Sequence, residues 1–159
     1  MSDFNGTGWV TVYFGPDSIV IAAMALKVFG VGETGAVMSS SLDEDDAAIG
    51  QLVLDTLGSN PREVDPEDIK VIKARWREIG AMLGFPGKSV RAVADCALLS
   101  FSEDEVIATL WKASPRAGGA LDTLKLGTPA SSPEAIGSLI RQSHVRLANT
   151  QEMPRSRNR

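Results

Sequence analysis

The chain has 159 residues, 43% of them hydrophobic and 23% charged, which is ordinary globular composition and enough to bury one core. Sixteen Lys and Arg against 20 Asp and Glu leave a formal net charge of −4, a balance that argues against a general affinity for nucleic acid or an anionic membrane. A lone cysteine, Cys96, excludes an intrachain disulfide, and the longest apolar run, residues 19–26, is far shorter than the ~20 residues that span a bilayer.

Residues 9–14 are β-branched and aromatic, and Gly15, Pro16 and Asp17 form a turn cluster before a second β-rich run at residues 18–21. This pattern predicts a hairpin, with the end of the second strand left open by the helix-favouring residues 22–26. Ser41 and Glu44 have the spacing of a capping box, which predicts a helix from Ser41 with Ile49, Leu52, Val53 and Leu57 on its apolar face and Gly58 at its end. Asp65 as a cap, Pro66 at the first helical position, and the acids Glu67 and Asp68 announce a second helix. Ile69, Ile72, Trp76, Ile79 and Leu83 form its stripe, and Gly84 closes it.

Past the turn at residues 85–87, composition shifts back toward strand. Residues 89–95, 96–101, 106–112 and 120–126 are the extended candidates. Ser132, Pro133 and Glu134 repeat the cap-then-proline signal for a last helix bearing Ile136, Leu139, Ile140 and Leu147. These elements predict a single α+β domain over residues 1–148, in which an antiparallel sheet buries one face against about three helices and exposes the other. Residues 149–159 read as a disordered basic tail.

Candidate chemistry is sparse. Gly30, Gly32 and Gly35 match G-x-G-x-x-G, but no helix opens directly after them, so a turn is expected rather than a phosphate loop. His144 is the only histidine and has no nucleophile turn to serve; it is expected to face solvent or cap its helix. Cys96, in an apolar run, reads as a small core residue. No catalytic residue, metal site or cofactor is expected, since there is neither a CxxC nor a Cys/His cluster. The N-terminus lacks the basic start of a secretory signal, so a cytoplasmic location is expected.

Charge carries the clearest asymmetry. Residues 41–68 hold nine acids, among them Asp43, Glu44, Asp45, Asp46, Glu63, Asp65, Glu67 and Asp68, against the single base Arg62. Residues 141–159 hold five arginines against Glu152. Clustered carboxylates attract a basic partner and speed its arrival; the same residues also cap helices and keep them solvated. Consecutive acids on a helix splay around its axis and seldom converge on one ion.

The order of parts resembles a known family. An N-terminal strand region leads to the acidic start, a helix from Ile49 and Gly50 to Leu57, a break at residues 59–62, and a helix ending at Ile79–Gly84; Lys88, Ser89 and Val90 follow, then a hairpin over residues 96–112. Over residues 9–126 this is similar to the immunity proteins of bacterial contact-dependent growth inhibition systems, with residues 132–147 as an extra helix. The resemblance implies a cytoplasmic, non-enzymatic antidote. Such an antidote binds the C-terminal toxin domain of a CdiA-type exoprotein, often a nuclease, and occludes its active site without touching nucleic acid or membrane. A nuclease must present cations to phosphates, so the acids at 43–46 and 63–68 are the expected contacts. The competing readings are a small nucleotide-binding or hydrolytic enzyme and a generic interaction module that pairs a sheet edge with a partner strand.

Overall fold

The computed structural model describes residues 8–27, 30–58, 69–103, 105–113, 122–126 and 132–150. Six strands, β1 (Gly8–Phe14), β2 (Ser18–Lys27), β3 (Gly30–Ser41), β4 (Asp95–Phe101), β5 (Val106–Trp111) and β6 (Asp122–Leu126), form one sheet in the order β3-β2-β1-β4-β5-β6. Every neighbouring pair is antiparallel. Two three-stranded meanders thus lie side by side, joined where β1 pairs with β4 in a register that sets Val12 opposite Ala97. Helices α1 (Asp46–Gly58), α2 (Ile69–Met82) and the single turn α3 (Val90–Val93) come between the meanders, and α4 (Pro133–Ala148) follows the second. This is the α+β architecture that the sequence predicts.

The strict alternation of the strands sorts the core onto two faces. Val10, Val12, Phe14, Ile19, Ile21, Ala97, Leu99, Phe101, Val106, Ala108 and Leu110 share one face and are buried beneath Ile49, Val53 and Leu57 of α1 and Ile136, Leu139, Ile140 and Leu147 of α4. Tyr13, Val20, Ala22 and Cys96 lie on the other face, under Ile79 and Leu83 of α2 and Val90 of α3. The expectation of one exposed face is therefore corrected: α2 and α3 cover part of it, because the α2 stripe needs a second apolar surface once α1 and α4 have filled the first.

α1 and α4 approach so closely that glycine is required at the crossing. A Cβ on Gly50 would fall 1.7 Å from the Pro133 carbonyl oxygen, and one on Gly137 would fall 1.9 Å from that of Asp46. Each second turn thus rests on the other helix's first turn. Polar side chains buried in this layer are satisfied locally: Thr56 Oγ1 donates to the Leu52 carbonyl at 2.7 Å, and Ser143 Oγ to that of Leu139 at 2.8 Å.

Local signals were met unevenly. Ser132 caps α4 by accepting from the Ala135 amide, with Pro133 in the first turn. Gly84 ends α2 at φ +95°, where its missing Cβ removes the left-handed penalty, and the Phe85 amide donates back to the Gly80 carbonyl at 2.8 Å. α1, however, starts at Asp46 and not at Ser41. Its cap is Asp45, whose Oδ1 accepts from the Ala48 amide at 2.7 Å, while Ser41 Oγ accepts from the Asp43 amide in the turn before it. The extended run expected at residues 89–95 is also corrected. Val90–Val93 make one helical turn, closed by Ala94 N–H donating to the Val90 carbonyl at 2.9 Å, because the buried Val90 side chain anchors the turn under α2. The Asp65–Asp68 cap of α2 lies outside the described residues. The disordered tail expected from residue 149 is corrected at its start, where the Asn149 amide donates to the Val145 carbonyl at 3.0 Å and the Thr150 amide to that of Leu147 at 3.2 Å to finish α4; residues 151–159 lie outside the described residues.

Candidate functional site

The acidic stretch resolves into carboxylates that build the fold and carboxylates that face outward. Asp45 caps α1. Asp46 Oδ1 accepts from Arg141 Nε of α4, and the same guanidinium donates to the carbonyls of Leu42, through Nη1 at 2.9 Å, and Glu44, through Nη2. Arg141 thus clamps the whole β3–α1 turn to α4, and it takes one negative charge with it. Both side chains of the ion pair stay about 40% exposed, so water screens the pair and its geometry matters more than its charge. Asp43 and Glu44 are exposed at the tip of the turn.

A neighbouring turn adds a carboxylate that the sequence reading overlooked. The Leu42 amide donates to the Asp17 carbonyl at 3.1 Å, which sets the β1–β2 turn, with exposed Asp17, against the β3–α1 turn. Asp17, Asp43 and Glu44 therefore come together at one end of the sheet. Separation in sequence hid this, and the antiparallel pairing of Ser18 with Ser41 produces it. Of the other candidate contacts, Glu63, Asp65, Glu67 and Asp68 lie outside the described residues.

The C-terminal half of α4 is fastened over the same end. His144, expected to be solvent-facing or a cap, is half-buried and stacks on the Phe14 ring with centroids 4.9 Å apart and planes at 21°. Lys112 Nζ donates to Asp95 Oδ2 at 3.2 Å and to the Leu147 carbonyl at 2.8 Å, and Asp95 Oδ1 accepts from the Ala113 amide at 2.8 Å. Beside the acidic turn, the outer face of α4 borders an open cleft of about 570 Å³ between Asp46 and Asn149. Val145, 56% exposed, stands in that cleft as an apolar contact with a polar rim of Ser138, Gln142 and Thr150. Exposed carboxylates, one exposed apolar residue and a backbone fixed by the Arg141, His144 and Lys112 contacts thus adjoin one another at this end of the sheet.

Gly30, Gly32 and Gly35 lie within edge strand β3, correcting the turn expected there; the register between β2 and β3 shifts in this stretch, where Ala22 faces Val37 and Met24 faces Glu33. Glycine suits such an irregular strand. Cys96 is buried among apolar neighbours, as expected. Among the described residues no three His, Cys, Asp or Glu side chains converge as metal ligands, and no helix is long and apolar enough to cross a membrane.

No family model matches the chain's sequence, and neither does any curated protein. Solved structures do share its fold. A protein of unknown function from Neisseria meningitidis superposes with a TM-score of 0.68 at 17% identity, over 90% of this chain and 98% of that one. A chain of a CdiA-CT/CdiI toxin and immunity complex from Yersinia pseudotuberculosis superposes with a TM-score of 0.66 at 18% identity, over 88% and 97% of the two chains. The chain thus has a fold found in a toxin–immunity complex across nearly its whole length.

Proposed function

We propose that this protein is an immunity protein, which binds the C-terminal toxin domain of a contact-dependent growth inhibition exoprotein and neutralises it by covering its active site. The observation that carries the reading is the fold, shared over nearly all of both chains with a chain of a toxin–immunity complex. The exposed carboxylates of Asp17, Asp43 and Glu44 agree with it, since a nuclease toxin presents cations for phosphate and a negative surface is complementary to them. Neutralisation by occlusion needs no bond-making from the antidote. It needs a rigid surface, and the clamp by Arg141 and the Phe14–His144 stack supply one.

Mixing the purified chain with the toxin domain encoded beside its own gene tests the reading. A stable one-to-one complex is expected, together with loss of toxin activity and protection of cells that express both. Absence of a complex, or a complex that leaves the toxin fully active, overturns it.

A further inference from the structure

Residues 69–93 carry six cations and a single acid, the reverse of the stretch before them. The acid, Glu78, is paired with Arg75 at 3.7 Å. α2 packs through Ile79 and Leu83 onto the sheet face opposite α1 and α4, so its outer face points away from the Asp17, Asp43 and Glu44 end of the α1–α4 layer. That outer face presents Lys70, Lys73, Ala74, Arg77 and Ala81, all exposed. Residues three and four apart on a helix stand about 5–6 Å from each other, so Lys73 and Arg77 are neighbours, and the short alanines between the cations leave room for a backbone to come close.

Lys88 joins them through a packing detail. A Cβ on Gly80 would fall 2.4 Å from the Lys88 carbonyl oxygen, so the bare glycine lets the segment after α2 fold back along the helix and sets exposed Lys88 next to the turn that carries Arg77. Glu67 and Asp68, which precede α2, lie outside the described residues; the centre of the patch is Lys73, Arg77 and Lys88.

We infer that this cationic face is a second binding surface, independent of the toxin-binding reading, and that its ligand is the phosphate backbone of duplex DNA, held without regard to sequence. Net charge pointed away from nucleic acid, but among the described residues the outer face of α2 is locally cationic, and a phosphate backbone meets the local balance before the total. Duplex DNA is favoured over a single strand because it carries one charge per ~1.7 Å of its axis and releases more counterions per contact, the larger gain for a patch of only four cations. The surface has no exposed aromatic side chain among its described residues on which unpaired bases could stack, which further separates it from single-strand binders.

Fluorescence anisotropy of a labelled short duplex, titrated with the full chain over a range of salt, tests the inference. With four phosphate contacts the expected log–log salt slope is about −3.6, so affinity falls about fifty-fold between about 50 and about 150 mM salt. Reversing Lys73→Glu and Arg77→Glu together is expected to weaken binding at least tenfold and to flatten the slope by about 2. The neutral pair Lys73→Gln and Arg77→Gln is expected to fall between, and circular dichroism should match wild type for all of them. No anisotropy change at low salt, equal binding by the reversal variant, tighter binding of a single strand of the same length, or binding to anionic lipid vesicles without binding to the duplex each overturns it.

Discussion

The two faces of the sheet are covered by layers that differ in kind. On one side α1 and α4 lock together at Gly50 and Gly137 and, among the described residues, eighteen buried hydrophobic residues form their shared core. On the other, α2 and α3 close over eight among the described residues, and the layer is expected to open before the first. Among the described residues charge follows the same division: exposed Asp17, Asp43 and Glu44 gather at the margin of the α1–α4 layer, and Lys70, Lys73 and Arg77 on the outer face of α2. A surface that presents a fixed shape to a protein partner is best built where the backbone is most constrained, whereas electrostatic contact with a polyanion needs only a row of long side chains.

Breaking the tight layer should produce the largest effects. Gly137→Ala and Gly50→Ala each drive a methyl group into a backbone carbonyl and are expected to cost about 3 kcal/mol of unfolding free energy, measured by denaturant titration. Ile140→Ala, in the same core, is expected to cost a similar ~3 kcal/mol through the cavity it leaves. Arg141→Ala removes three hydrogen bonds from a partly exposed site and should cost about 1–2 kcal/mol. Asp45→Ala, which uncaps α1, should cost about 1 kcal/mol. The smallest change is expected from Asp43→Lys with Glu44→Lys, within about 0.5 kcal/mol, because these exposed side chains lie at the tip of the turn. Native-state hydrogen exchange sharpens the contrast between layers: amides of α2 should exchange through a smaller opening free energy than those of α1 and α4. Equal protection would mean that the two layers open together.

What the sequence disclosed follows from the range over which each signal acts. Ser132 with Pro133, the Gly84 terminator and the strand-favouring composition of β1, β4 and β5 are local, and each is readable directly. Residues 89–95 misled because Val90 and Val93 favour strand on propensity, whereas burial of Val90 under α2 selects a helical turn. Ser41 misled for a similar reason: Asp45 competes for the same helix start, and the Arg141 clamp draws the turn toward α4. The candidate site itself was half legible. The acids were visible as a cluster, but the roles of Asp45 and Asp46 in the fold, the arrival of Asp17, and the placing of α2 on the opposite face all depend on pairing between distant segments.

Under the proposed function, the Asp17, Asp43 and Glu44 end of the α1–α4 layer is the surface that meets a basic toxin domain. Stopped-flow association with the cognate toxin domain at low salt, comparing wild type with the triple reversal Asp17→Lys, Asp43→Lys, Glu44→Lys and with Lys73→Glu, Arg77→Glu, tests that directly. The account predicts that the triple reversal slows association at least tenfold, that added salt narrows the gap, and that the α2 variant is not slowed. A triple reversal that associates at the wild-type rate, or an α2 variant that is the slower of the two, would contradict it.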